Sequence, residues 1–204
     1  MRKNSKKKSS YASNKIEGNP LTENQVDEVI ENDERKHFLK PEQEVRNYFL
    51  ALNYLEEKAK SKELFSKELI LDVQKLVEKG ASKEKIGLRG PMPPGVLFAV
   101  YDSKTGNADY IPPEAKDIPE LIDELVEYVN TTDDHPLIVA AIVHYQLVTI
   151  HPFEDGNGRM GRLWQSLILG KLHPVFRYLP VESMIHDNQS GYYSAINHLS
   201  LIHI

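Results

Sequence analysis

The chain has 204 residues, 40% hydrophobic and 27% charged, with no cysteine and a formal net charge of −5. That length suits one domain with a sizeable core, and the lack of cysteine excludes a disulfide framework and thiolate metal sites, which permits the cytoplasm as the expected compartment. The net negative charge argues against non-specific binding to DNA or RNA. No apolar run follows the five Lys and Arg of the first eight residues, so neither a secretory signal nor a membrane partner is expected.

In chain order, the basic N-terminal arm reads as a solvated, flexible end. Ser13 and Glu17 are four apart and share a face if that segment is helical, with Gly18 suited to its end. Thr22-Glu23-Asn24-Gln25 is a capping box that opens a short helix to about Glu31. Pro41 sits at a first helical position, and Val45, Phe49, Leu52 and Leu55 then line one face. Ser66 caps a helix carrying Leu69, Val73, Leu76 and Val77, which Gly80 ends.

Between Gly87 and Pro113 the pattern changes. Gly90, Pro91, Pro93, Pro94 and Gly95 break helices. Val96 to Tyr101 has β character, Asp102 to Asn107 supplies a turn, and Ala108 to Ile111 returns as a second strand. Asp117 or Ile118 opens a helix through Leu121, Leu125, Tyr128 and Val129. Pro136 to Ile150 is apolar nearly all round, which marks a central buried helix. His144 within it reads as a hydrogen-bonded core residue. A further helix runs from about Gly158 to Lys171. His135, His173, His186, His198 and His203 show no metal-ligand spacing, so no structural zinc is expected.

The chemistry concentrates in His151-Pro152-Phe153-Glu154-Asp155-Gly156-Asn157-Gly158-Arg159-Met160-Gly161-Arg162. Histidine is the side chain best suited to act as a base near neutral pH. Pro152 fixes its own φ and restricts His151 to extended conformations. Phe153 reads as the loop's anchor in the core. Asp155 is a hard oxygen ligand of the kind Mg²⁺ accepts together with phosphate oxygens. Gly156 and Gly158 let the backbone approach an anion at the N-terminus of the next helix. Asn157 offers its amide to a phosphate or to its own loop. Arg159 and Arg162, three apart, project to one side and can fork onto phosphate oxygens. A plain turn has no use for the base, carboxylate and paired arginines at once.

This stretch resembles the Fic motif, H-P-F-x-[D/E]-G-N-G-R-x-x-R, and every specified position matches. The resemblance runs from about Pro41 to the C-terminus. It implies a mainly α fold, a Fic-like helical bundle with a small β-hairpin flap near the active-site loop. It also implies an enzyme that transfers AMP from ATP to a hydroxyl side chain of a target protein, itself included. By the same resemblance His151 is the base, and Asp155 holds Mg²⁺, with Mn²⁺ as an alternative. Gly156, Asn157, Gly158 and Arg159 bind the phosphates, and Arg162 orients the γ-phosphate. Gly156 and Gly158 resemble the AMP-transferring members, whereas Doc-like kinases usually carry Lys at the position of Gly158 and Ala at that of Gly156.

Ser13-Asn14-Lys15-Ile16-Glu17-Gly18-Asn19 resembles the family's inhibitory motif, [S/T]-x-x-x-E-[G/N], placed ahead of the core as in class II members. That implies an arm over residues 1–40, with an inhibitory helix at about 10–18 followed by a short helix, and a Fic domain over 41–204. Glu17 would pair with Arg162 and occupy the space the γ-phosphate needs, since one guanidinium cannot fork onto two anions. Residues 87–113 resemble the flap that clamps a target by strand pairing. The arginine often found there is replaced around Val96-Leu97. Tyr192 and Tyr193 match a pair that borders the adenine pocket, while Ser200 falls where an asparagine is common. Many class II relatives continue into further helices or a winged-helix domain, and a C-terminal extension of that kind is expected to be lacking here.

Two alternatives stay open: a hydrolase that removes AMP with the help of Glu17, and a nucleotide-sensing regulatory module. The target, its modified residue, the nucleotide base and any homo-oligomer are not fixed by these residues.

Overall fold

The computed structural model describes residues 2–32, 34–60, 65–81, 86–101, 106 and 108–200, without the side chains of Lys60, Asp109 and Ser200. It is mainly α-helical, with one two-stranded hairpin. The helices are α1 (Arg2–Ile16), α2 (Glu23–Glu31), α3 (Lys40–Lys60), α4 (Lys67–Glu78), α5 (Ile118–Thr131), α6 (Pro136–Ile150), α7 (Asn157–Leu172), α8 (Val181–Asp187) and α9 (Gln189–Ser200), with a 3-10 turn at Pro174–Tyr178.

The antiparallel pair α6 and α7 forms the centre. Gly161 lets the two helices meet closely, because a Cβ there would press on the His144 carbonyl and Val148. Around this pair, Tyr48, Ile70, Val73, Val77, Ile118, Ile122, Leu147, Phe153, Met160, Leu163 and Trp164 are buried in one cluster. Phe65 meets Trp164 edge to face at 4.7 Å. A smaller cluster of Val26, Ile30 and Val45 seats α2 on α3. In α3 the buried stripe is rotated from the expected one: Tyr48 and Ala51 are fully buried, and Phe49 and Leu52 only partly. The expected capping box at Thr22 is present, and Ser66 caps α4. In α6, Leu137 and Ile138 are exposed, so the helix is buried on one side at its start rather than all round.

Two further expectations are corrected. The basic arm is not a solvated end: helix begins at Arg2, well before residue 10, and stops at Ile16, so that Glu17 lies in the turn beyond it. The arm orders because its cations land on carboxylates. Arg2 and Lys6 pair with Glu56, and Lys7 pairs with Glu31 at 2.6 Å and Asp27 at 3.3 Å. Ser5, Ser9, Ser10 and Ser13 are buried, small enough for α1 to pack closely on α3 and α8.

The strand expected over Val96–Tyr101 is only β1 (Val100–Tyr101), paired antiparallel with β2 (Ala108–Tyr110) in the register Val100↔Tyr110 and Tyr101↔Ala108. Val96 instead closes a turn on Pro93, and β propensity without a partner backbone does not make a strand. Of the expected turn at Asp102 to Asn107, only Gly106 is among the described residues; His203 lies outside them.

Candidate functional site

His151 ends α6 in the left-handed conformation, φ 48° and ψ 58°. Among the described residues it is the one non-glycine with positive φ. The extended conformation expected ahead of Pro152 is therefore not adopted. The chain must reverse there to lead into α7, and Arg89 holds the turned carbonyl: its Nε donates to His151 O at 2.8 Å, while its other end donates to Pro113 O. The His151 ring is set by two neighbours. Nδ1 lies 3.3 Å from Val148 O, and Phe98 of the hairpin segment tilts against the ring at 5.7 Å. A carbonyl only accepts, so Nδ1 carries the proton in the neutral ring and Nε2 keeps its lone pair. Burial lowers the His151 pKa, and Arg89 adds to this, against the Val148 bond, Glu17 and Asp155.

The loop after His151 braces itself. Phe153 N donates to Asn157 Oδ1 at 3.0 Å, and Asn157 Nδ2 returns a bond to Phe153 O at 2.9 Å. Phe153 is fully buried, as an anchor should be. Asn157 thus spends its amide on its own loop. Leu88 bridges to Phe153, and Arg89 N donates to Pro152 O, which ties the segment before the hairpin to this loop. Gly156 is left-handed at φ 86°, and a Cβ there would collide with the Glu78 carboxylate. The first turn of α7 follows, whose N–H groups have no partners within the helix.

The two arginines lie on α7 but serve different partners. Arg162, 1% exposed, donates from Nε to Ser13 Oγ at 2.8 Å, and from one terminal nitrogen to Ser13 O at 3.1 Å and Glu17 Oε1 at 2.6 Å. The Glu17 carboxylate lies directly over Gly158, where a Cβ would strike it. Arg159 turns to Glu78 Oε1 at 3.0 Å and Asp155 Oδ1 at 3.1 Å. Asp155 is 40% exposed, and its contacts with Arg159 and Gly156 N both use Oδ1.

Further in, His144 bonds Gln165 through Nδ1 and the Tyr192 hydroxyl through Nε2. Burial first, and then Arg162, press His144 down to about 4, so it stays neutral. Burial pushes Tyr192 up to about 12. Tyr192 and Tyr193 meet edge to face at 5.0 Å, and Tyr193 is half exposed. The structure thus brings His151, Asp155, Gly156, Asn157, Gly158, Arg162, Ser13 and Glu17 together at the first turn of α7. Tyr192 stands behind Arg162, and Arg159 lies beneath the loop between Asp155 and the buried Glu78.

The exposed Asp155 carboxylate beside the helix N–H groups suits a small divalent ion that arrives with phosphates and waters. Among the described residues no three His, Cys, Asp or Glu side chains converge into a protein cage for a metal.

Several participants carried no sequence signal as site residues. Arg89, Phe98 and Glu78 are far from the motif in the chain. So is the buried Glu182, which accepts from Ser9 at 2.6 Å, Ser166 at 2.9 Å and Tyr48 at 3.1 Å. For Glu78 a weak sign exists: a carboxylate in the last turn of a helix opposes the helix dipole and needs another reason to be there.

Residues 64–169 match the profile of the Fic/DOC family. The chain is 29% identical over 165 residues to protein adenylyltransferase Fic of Nematostella vectensis, covering 78% of this chain and 36% of that protein. Over 63 residues it is 41% identical to the protein of the same name from Drosophila mojavensis, covering 29% of this chain and 12% of that one. Among solved structures, a Fic family protein from Desulfovibrio desulfuricans G20 superposes with a TM-score of 0.82 at 33% identity, covering 98% of this chain and 58% of the other. A Fic domain containing signaling protein from Bacteroides thetaiotaomicron VPI-5482 superposes with 0.74 at 22% identity, covering 94% and 70%. The chain thus spans about a third of the length of the Nematostella relative. No helix among the described residues is long and apolar enough to cross a membrane.

Proposed function

The chain belongs to the Fic/DOC family, and we propose that it is a protein adenylyltransferase that moves AMP from ATP to a hydroxyl side chain of a protein, held in check by Glu17. The observation that carries this reading is the convergence of a base with a free Nε2, an anion-receiving helix start and an exposed carboxylate in one loop. The relatives' names support the reaction class.

In the proposed reaction His151 Nε2 takes the proton of the target hydroxyl. The hydroxyl oxygen attacks the α-phosphorus, the bond from that phosphorus to the bridging oxygen breaks, and pyrophosphate leaves with the bonding electrons. The N–H groups at the start of α7 receive phosphate oxygens and hold the nucleotide in line, so positioning and charge neutralisation do most of the work. Asp155 is the residue that would hold Mg²⁺, which when bound neutralises charge on the phosphates. Arg162 would orient the γ-phosphate. Its guanidinium is occupied by Ser13 and Glu17, and Glu17 fills the space over Gly158. A terminal phosphate and the Glu17 carboxylate compete for the same donor.

The test compares intact masses after incubation with Mg²⁺ and ATP. Glu17→Gly gains the mass of AMP on itself, while the wild type gains little and Glu17→Gly/His151→Ala none. A folded Glu17→Gly protein no more modified than the wild type rejects the inhibitory role. Modification that survives His151→Ala rejects the base.

A further inference from the structure

We infer that Glu78 is a positioning residue for the metal-binding step: by competing for Arg159, it leaves Asp155 free to serve a divalent cation. This rests on the reading above, in which Asp155 is the carboxylate that takes the metal.

The geometry is a three-membered charge cluster beneath the loop. One Arg159 terminal nitrogen stands between two carboxylates, Glu78 at 3.0 Å and Asp155 at 3.1 Å. Arg159 and Glu78 are both buried, at 4% and 3% side-chain exposure, whereas Asp155 is 40% exposed. Neither Glu78 oxygen has a hydrogen bond of good geometry, although both are shut off from solvent. Glu78 is therefore a buried carboxylate whose nearest cation is Arg159, and it is held there by packing. Its carboxylate presses on Gly156, where only hydrogen fits.

A guanidinium with a single carboxylate neighbour binds it firmly and keeps it from a metal. With a second, buried carboxylate beside it, the same guanidinium is already neutralised. Asp155 then costs less to withdraw, and Arg159 is not left as an unpaired buried charge when Asp155 moves to a cation. Glu78 also adds negative charge under the loop, which favours a divalent cation and opposes a bare polyphosphate. Both effects raise the gain in nucleotide affinity that the metal supplies. Outer residues that orient a metal's ligands commonly change metal affinity when altered.

The experiment measures binding rather than turnover. ADP is titrated calorimetrically into the Glu17→Gly protein with MgCl₂ and again with EDTA, in mildly alkaline buffer, and the ratio of the two affinities is taken. In Glu17→Gly/Glu78→Gln the ratio falls by about tenfold, because the isosteric amide leaves Asp155 as the sole anion on Arg159. In Glu17→Gly/Arg159→Met, which removes the cation, the ratio stays at or above that of the parent although both affinities drop. An unchanged ratio in the Glu78→Gln protein overturns the inference and leaves the proposed function standing. If Glu78→Gln does not fold, a lower ratio in the Arg159→Met protein than in the parent overturns it. No gain from MgCl₂ in the parent itself rejects Asp155 as the metal's ligand, and this inference with it.

Discussion

His151 shows how one backbone angle sets a side chain. A left-handed non-glycine residue costs about 1–3 kcal/mol, and here Arg89 and the self-braced loop maintain it. Its ring is biased to the neutral form by burial, below the ordinary value of 6.5. The proposed base works when deprotonated, so the acid limb of kcat/KM for auto-modification by Glu17→Gly should fall below pH 6.5; a limb above that value argues against His151 as the group observed. Glu78 shows the opposite shift. Burial lifts it from 4.5 to about 7, Arg159 opposes this, and Asp155 adds to it. A carboxylate raised on folding stabilises below its unfolded pKa and loses that contribution as pH rises through the folded value. Stability relative to Glu78→Gln should therefore decline between pH 4.5 and about 7, which paired urea titrations would measure. Gly156→Ala meets both a positive φ and the Glu78 carboxylate, so it should lower the melting temperature, by about 1–3 kcal/mol in stability terms.

At the scale of elements, α1 is the unusual one. It buries serines, Asn14 and Lys7 where a core helix would bury leucines, with Ala12 and Ile16 as its buried apolar residues. Its docking is therefore polar and directional. Arg162 and Glu182 each hold one of its serines, Ser13 and Ser9. Glu182→Ala leaves the hydroxyls of Ser9, Tyr48 and Ser166 without their acceptor, at about 1–3 kcal/mol for each group that stays buried. Faster amide exchange in α1 and stronger auto-modification with Glu17 intact are the expected results, and faster exchange without added modification counts against α1 as the brake. This helix was also the least legible from sequence. Its spacing of serines and lysines has no apolar periodicity, and the carboxylates that order it stand on α2 and α3. By contrast, the caps at Thr22 and Ser66, the apolar run of α6 and the loop that ends at Gly156 are local patterns, and they could be read directly. The pairing of Arg159 with Glu78 could not, because nothing short-range links positions 78 and 159.

Over the whole molecule, an apolar centre carries a cover that docks through polar contacts. The α6–α7 pair and its buried shell include Trp164, the chain's single tryptophan, while α1 holds on through ion pairs and hydroxyl groups. Local opening should follow that order, with α1 exchanging its amides well before α6 and α7; uniform exchange protection across the three would contradict it. The contact of Glu17 with Arg162 thereby acquires a dimension of concentration. Helix α1 is a ligand on a tether, joined to α2 by a few residues, and a short tether presents its ligand at an effective concentration on the order of millimolar. Under the proposed function, restraint is a contest between a tethered carboxylate and a dissolved phosphate, decided by the level of nucleotide as much as by affinity. A free peptide of residues 2–19 should accordingly silence a chain that lacks them, in a dose-dependent manner, and rising ATP should displace it.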